Sequence, residues 1–283
     1  MKIAAGIIIF NSDFVLKEVL DSIYGYVDQI IISEGCVQYF QDKGFTTSTD
    51  KTNEIIHNFP DPEKKITIIH GQYKEKTEQA NAYIPYIKDD TDYLWNLDSD
   101  EIYKGKDIEK IIDLLEKEKY TSVGFNSNTF YGGFDKIVGG FEKIIEYKRI
   151  FKIDKNSKWA THRPPIIDNL DDNKHLSGRA LVDMGIYLYH YSYVFSRQVK
   201  QKMEYYQAAV SKSNCIDNYY KEVWLKWMLG DFEDRYKLEE KYKGVHDLLP
   251  EYRGLSFTES FVGSHPKVIE NNLDNLKKLS HVV

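Results

Sequence analysis

The sequence predicts an α/β fold: a mixed, mostly parallel sheet flanked by helices, followed by a mainly helical C-terminal extension. Three observations predict it. Short apolar runs alternate with segments of helical apolar spacing over roughly the first hundred residues. The fourth of those runs, Tyr93-Leu94-Trp95-Asn96-Leu97, stops abruptly in Asp98-Ser99-Asp100-Glu101. From Ser196 onward the pattern becomes helical only. Short strands separated by helices imply parallel pairing through right-handed crossovers.

Each element has its own signal. Ile3 to Phe10 is a nearly continuous apolar run, the mark of a strand covered on both faces. Asn11-Ser12-Asp13 offers N-cap side chains for a helix carrying Val15, Leu16, Val19, Leu20 and Ile23. Gln29 to Ser33 reads as a second strand with Glu34-Gly35 at its carboxyl end, and a polar loop covers 36–47. Ser48-Thr49-Asp50 caps a helix through Ile55, Ile56 and Phe59. Lys65 to Ile69 is a third strand, and Glu75 to Ile87 a helix that Pro85 bends or ends. Asp107 to Lys119 is an amphipathic helix. Ser122 to Phe130, Ile144 to Ile153 and Gly185 to Tyr193 are later strands, and Trp159 to Pro165 is a proline-stiffened loop. Gly132-Gly133 and Gly139-Gly140 read as flexible points. The stripe Val199, Met203, Tyr206, Val210, Val223, Trp224, Trp227 and Met228 reads as helix packing rather than a ligand box.

Composition narrows the function. A net charge of −6 and the lack of a basic run argue against a nucleic-acid partner. Cys36 and Cys215 form neither a metal spacing nor a disulfide framework. No apolar run reaches membrane length, so a cytoplasmic protein without a membrane span is expected. The 22 tyrosines exceed what a core needs and suit stacking on sugar or base rings. Oligomeric state is not legible in the sequence.

The acidic strand end carries the chemistry. In open α/β sheets ligands bind beyond the carboxyl ends of the strands. On an extended backbone Asp98 and Asp100 share a side, while Ser99 and Glu101 point the other way. Two carboxylates so close call for a cation, and oxygen ligands suit Mg²⁺ or Mn²⁺. The competing reading is a solvated acidic turn. No Gly-x-Gly-x-x-Gly and no Gly-Lys-Ser/Thr loop is present, so a bound diphosphate would have to be held by a metal.

With these elements in order, the sequence resembles the GT-A fold glycosyltransferases of family 2. The resemblance rests on Asn11 after the first strand, Asp21-Ser22-Ile23, Ser48-Thr49-Asp50-Lys51-Thr52, Gln79-Ala80-Asn81-Ala82, Asp98-Ser99-Asp100-Glu101, Trp159-x-x-His162, His190-Tyr191 and His265-Pro266. It covers about residues 3–195. Two departures stand out: the long stretch between Glu34 and Ser48, with Tyr39, Phe40 and Phe45, and Arg163 where one branch has an acidic residue.

The resemblance implies a GT-A, Rossmann-like domain over 1–195. Its nucleotide-binding half is 1–100 and its acceptor half 101–195, with 196–283 packed on the same domain. It implies metal-dependent transfer of a sugar from a nucleotide-diphosphate donor to a glycan or other hydroxyl acceptor, with inversion. Asp98, Asp100 and His190 are the metal candidates, with Mn²⁺ or Mg²⁺ bridging the phosphates; Asp98 alternatively meets the ribose, and His190 is equally a core histidine. Phe10, Asn11, Glu34, Tyr39, Lys76, Gln79, Asn81 and Asp98 are donor-contact candidates, with an N-cap role open for Asn11 and a solvated helix face for Lys76. A base near the acceptor hydroxyl is required, and Asp183, Glu101, His162 and Glu142 remain open. Arg149, Arg163 and Arg179 are possible anion contacts. The rival readings are a sugar-1-phosphate nucleotidyltransferase and a non-catalytic carbohydrate-binding protein.

Overall fold

The computed structural model of the chain describes residues 1–170, 172–210, 216–245 and 256–280; Cys215 lies outside them, as does the side chain of Val210. The described elements run β1 (Ile3–Ile9), α1 (Leu16–Ile23), β2 (Gln29–Val37), α2 (Gln38–Gln41), α3 (Thr52–Asn58), β3 (Ile66–Tyr73), α4 (Lys76–Tyr83), β4 (Tyr93–Leu97), β5 (Glu101–Ile102) and α5 (Gly105–Glu118). They continue with β6 (Ser122–Tyr131), β7 (Lys136–Val138), β8 (Glu146–Lys152), β9 (Trp159–His162), β10 (Pro165–Ile167), β11 (His175–Leu176), α6 (Gly178–Asp183) and β12 (Leu188–Tyr193). Then follow α7 (Ser196–Tyr205), α8 (Lys226–Leu229), α9 (Phe232–Tyr242), β13 (Thr258–Ser260), α10 (Lys267–Glu270) and α11 (Leu273–Ser280). Two compact units divide the chain: Met1–Phe125 with Glu146–Tyr187, and Asn126–Ile145 with Leu188–Val283.

The first unit is a doubly covered sheet. β1 lies between β2 and β4, parallel to both, and β3 extends the parallel set beyond β2. β8 joins β4 antiparallel, so the sheet is mixed but mostly parallel. All seven residues of β1 are buried, as its unbroken apolar run requires. α4 packs closely on β1: a Cβ on Gly6 would lie 2.5 Å from the Tyr83 ring. Ala4, Ile8, Ile31, Ala80, Tyr83, Leu94, Phe151, Trp159 and Ile167 form one buried cluster that joins sheet, helix and β9. Burial of each large side chain in it stabilises the unit by about 1.5–3 kcal/mol.

Four sequence expectations are corrected in this unit. The helix after β1 begins at Leu16, with no side-chain cap. Asn11, in a left-handed conformation at φ 49°, instead accepts a bond from Thr49 N at 2.8 Å, and its own N–H donates to Ser48 Oγ at 2.9 Å. Glu34-Gly35 does not end β2, which runs on to Val37. At Gly35 the β2–β3 approach is so close that a Cβ would fall 1.8 Å from the Gly71 carbonyl oxygen, so a glycine lets the strand continue. The stretch after it contains the short helix α2, and Trp159 to Pro165 is a β9–β10 hairpin rather than a loop.

In the second unit, the β6 residues from Asn126 onward pair with β12 in parallel and with β7 antiparallel, and β7 pairs with β13. Tyr131, Val138, Tyr193, Val199, Met203, Tyr219, Val223, Trp224 and Trp227 form its buried core, with Val245. The aromatic stripe is thus packing, as its spacing implies. Tyr220–Leu225 winds as a π-helix leading into α8. Gly132 is held in place: its N–H donates to the Tyr193 carbonyl at 2.8 Å, and a Cβ there would lie 2.2 Å from the Trp227 ring.

Candidate functional site

The acidic strand end sits where the sheet topology puts ligands, at the carboxyl end of β4 beside β1. The antiparallel register of β8, Leu94 opposite Phe151 and Trp95 opposite Ile150, brings Arg149 to that same end. Arg149 and Glu101 are both buried, with side chains 6% and 0% exposed. The guanidinium grips both carboxylate oxygens of Glu101: Nε donates to Oε2 at 2.7 Å and Nη2 to Oε1 at 2.5 Å. Nη2 also donates to Asp98 Oδ2 at 3.1 Å. Burial pushes the Asp98 carboxyl up, but Arg149 holds it below the usual carboxylate range against the repulsion of Asp100. Burial opposes the charge on Arg149, yet Glu101 and Asp98 keep it firmly protonated.

Glu101 is therefore not an unengaged base beside the metal motif, and it does not point away from Asp98's surroundings. Both carboxylates converge on one cation. A charged residue inside the apolar Ile150-Phe151 strand is the signal that could have exposed this, because a buried charge needs a buried partner.

Helix α4 carries five expected or unexpected site residues. Gln79 is 3% exposed, and its amide donates to the carbonyls of Ser33 at 2.9 Å, Gly35 at 3.1 Å and Ile9 at 3.2 Å. Asn81 clamps the Trp159 backbone from both sides, donating to its carbonyl at 2.9 Å and accepting from its N–H at 2.8 Å. The Tyr83 hydroxyl accepts from the Trp159 indole N–H at 2.8 Å. At the other end of the helix, Thr77 Oγ1 accepts from the His162 N–H at 3.2 Å. Gln79 and Asn81, expected to face the donor, thus bind strands β1, β2 and β9 to the helix. Lys76, half-buried, acts electrostatically on both Asp98 and His162.

His162 is 8% exposed and its Nε2 has no hydrogen-bond partner among the described residues. Its pKa is pushed down to about 4, first by burial and then by Lys76, Arg149 and Arg163, with Asp98 pulling the other way. The ring is neutral at pH 7.

The remaining candidates have partners of their own. Glu34, 1% exposed, accepts from Thr47 Oγ1 at 2.9 Å, Ser48 N at 2.7 Å and His70 Nδ1 at 2.9 Å, so it fastens the returning chain to β2. Half-buried Phe10 meets Phe40 at 4.7 Å and Phe45 at 5.6 Å between ring centroids, and Tyr39 meets Phe40 at 5.0 Å. The long stretch after β2 therefore builds an aromatic cluster at the end of β1. Asp183 lies exposed at the end of α6, paired with exposed Arg179 at 3.2 Å. Glu142 and His190 belong to the second unit: Glu142 is buried and accepts from Thr129 Oγ1 at 3.0 Å, and His190 is half-buried opposite Thr129 on β6.

The donor set fits a hard divalent cation. Asp98 is ionised, with one oxygen steadied by Arg149, and Asp100 is half-buried two residues on. Among the described residues no three His, Cys, Asp or Glu side chains are gathered as a complete cage. Mg²⁺-type sites take one or two protein carboxylates and fill the rest with water and substrate phosphate.

The mixed, mostly parallel sheet flanked by helices is consistent with a GT-A, family 2-like fold, and part of the chain is similar to glycosyltransferases of that family. The family model described as Glycosyl transferase family 2 matches residues 46–167, the stretch from α3 to β10 that holds α4, the acidic strand end, Arg149 and His162. In sequence, no curated protein matches the chain. Among solved structures, residues 1–349 of TarS from S. aureus are 12% identical, covering 90% of this chain and 78% of that one at a TM-score of 0.44. The same TarS segment in complex with UDP-GlcNAc is 9% identical, covering 86% and 80% at 0.41. A 4-diphosphocytidyl-2C-methyl-D-erythritol synthase from Anaerococcus prevotii is 14% identical, covering 53% and 71% at 0.35. Among the described residues no helix is long and apolar enough to cross a membrane.

Proposed function

We propose that this glycosyltransferase moves a sugar from a nucleotide-diphosphate donor to a hydroxyl of a glycan or related acceptor, with inversion and with Mn²⁺ or Mg²⁺, in the cytoplasm. The observation that carries the reading is the ionised Asp98, aligned by Arg149 beside half-buried Asp100 at the end of a central strand. Asp98 and Asp100 would hold the metal, which supplies charge neutralisation to the departing diphosphate. Phe10, Tyr39 and their aromatic neighbours would border the base. Residues 1–100 form the nucleotide half, 101–195 the acceptor half and 196–283 the helical extension.

Of the four base candidates, Asp183 has the exposed carboxylate, whereas Glu101, Glu142 and His162 are buried. We assign Glu101 to alignment, since Arg149 takes both its oxygens. The nucleotidyltransferase reading is weaker, because Phe10-Asn11-Ser12-Asp13-Phe14 has no glycine-rich basic loop and Asn11 is fastened to Ser48 and Thr49. The test is a thermal-shift panel of UDP, GDP, CMP and dTDP sugars with and without Mn²⁺, since a ligand of the folded state raises the midpoint. A Mn²⁺-dependent shift for one nucleotide, lost in Asp100→Ala, supports the reading; a silent panel removes it.

A further inference from the structure

We propose that His162 and the first turn of α4 form a subsite for a phosphate oxygen, the imidazole Nε2 being its donor. This rests on the proposed function in one respect: the oxygen would belong to the diphosphate of the donor sugar nucleotide. Three observations lead to it.

The first is the unmatched atom. Nε2 of His162 is buried with no hydrogen-bond partner among the described residues, in a side chain more than nine-tenths buried. Buried polar atoms are almost always paired, and an exception in a native site needs a ligand, an ion or a water to explain it. The second is placement. Asn81 and Tyr83 fix Trp159 at the start of β9, and Thr77 fixes the His162 backbone at its end, so the strand lies along α4 and sets His162 beside the first turn, where Lys76 acts on the ring. α4 spans eight residues and has no side-chain cap. Its first N–H groups and its dipole favour an anion. The third is charge. Lys76, Arg149 and Arg163 lie within electrostatic reach of the ring, against one carboxylate, Asp98. Lys76 and Arg163 act on the ring alongside the Arg149–Glu101–Asp98 network, and a neutral imidazole N–H suits an anionic oxygen as its acceptor.

The subsite has a role distinct from proton removal. A neutral ring that donates to phosphate orients the donor and leaves Asp98 and Asp100 to face the metal. It also accounts for a polar ring at the end of β9, beside the buried cluster of Trp159 and Ile167.

The experiment uses inorganic pyrophosphate, which carries the diphosphate without a base or sugar. Its affinity is measured by calorimetry with and without Mg²⁺ for the wild type, His162→Leu and His162→Gln, each checked for an unchanged fold by its near-ultraviolet circular dichroism. The expected result is at least a tenfold loss in His162→Leu and retention within about threefold in His162→Gln, whose amide restores a donor. Wild-type affinity in a folded His162→Leu protein, or no pyrophosphate binding by the wild type, overturns the subsite. The nucleotide-sugar panel separates the two ideas. A panel shift that is indifferent to His162 keeps the glycosyl-transfer reading and removes the subsite. Pyrophosphate binding through His162 with a silent panel does the reverse.

Discussion

The two ends of α4 meet polar groups that are treated differently. Toward its C-terminal end, Gln79, Asn81 and Tyr83 are engaged by the backbones of Ile9, Ser33 and Gly35 and by both backbone groups and the indole of Trp159. At its N-terminal end the structure leaves His162 Nε2 unmatched. Engaged groups cement layers together; the unmatched one identifies where a ligand belongs. The Glu101–Arg149 pair belongs with the engaged class, although it stands next to Asp98.

If that distinction holds, changes to engaged groups strike stability and changes at the ligand end strike binding. The largest stability loss is expected for Arg149→Gln, which leaves Glu101 buried without its cation. Breaking such a pair costs about 3–5 kcal/mol, and urea unfolding reads it directly.

Next comes the pH response of His162. Its pKa falls from the ordinary 6.5 to about 4 in the folded chain, so between those values the unfolded chain binds more protons. Stability from this group is complete above about pH 6.5 and is lost as pH falls toward 4, by about 3 kcal/mol at 1.36 kcal/mol per unit. Denaturation across that window should show the slope in the wild type and not in His162→Leu. An identical slope in both would remove the buried neutral ring.

Gln79→Leu should cost about 1–3 kcal/mol, because buried carbonyls of β1 and β2 lose their donor. Asp100→Ala sharpens the comparison from the other side. Its ligand-free stability should fall far less than that of Arg149→Gln, while any Mn²⁺-dependent nucleotide shift disappears. Smallest of all, Arg179→Ala breaks an exposed i,i+4 pair and should leave the unfolding midpoint unmoved.

How much of this was readable in advance varied with how local each signal was. β1 and β4 were legible because an unbroken apolar run of strand length ending in charge has few alternative readings. The helix through Lys76–Tyr83 and its stop near Pro85 followed from local rules. The engagement of Gln79 and Asn81 was not legible, because an amide meets backbone or ligand with the same chemistry, and only packing decides. Arg149 and Glu101 are far apart in sequence and meet only because β8 runs antiparallel to β4. Glu34 looked like a strand end because a carboxylate in mid-strand is unfavourable unless something pairs with it. Thr47, Ser48 and His70 do so, and none of them lies beside it in sequence.

The Glu34 arrangement has a consequence for how such an enzyme can be changed. The chain leaves β2 after Val37 and returns to it at Thr47 and Ser48, which Glu34 holds, while Ser48 and Thr49 are tied to Asn11 at the end of β1. Between those clasps the chain is held once more, where Gln41 Nε2 donates to the Tyr73 carbonyl of β3 at 2.8 Å. Closure entropy grows slowly, by about 0.6 kcal/mol for each doubling of loop length. Changes of length are therefore expected to be tolerated best after α2, between Gln41 and the clasp at Thr47, while β1 and β2 keep their geometry.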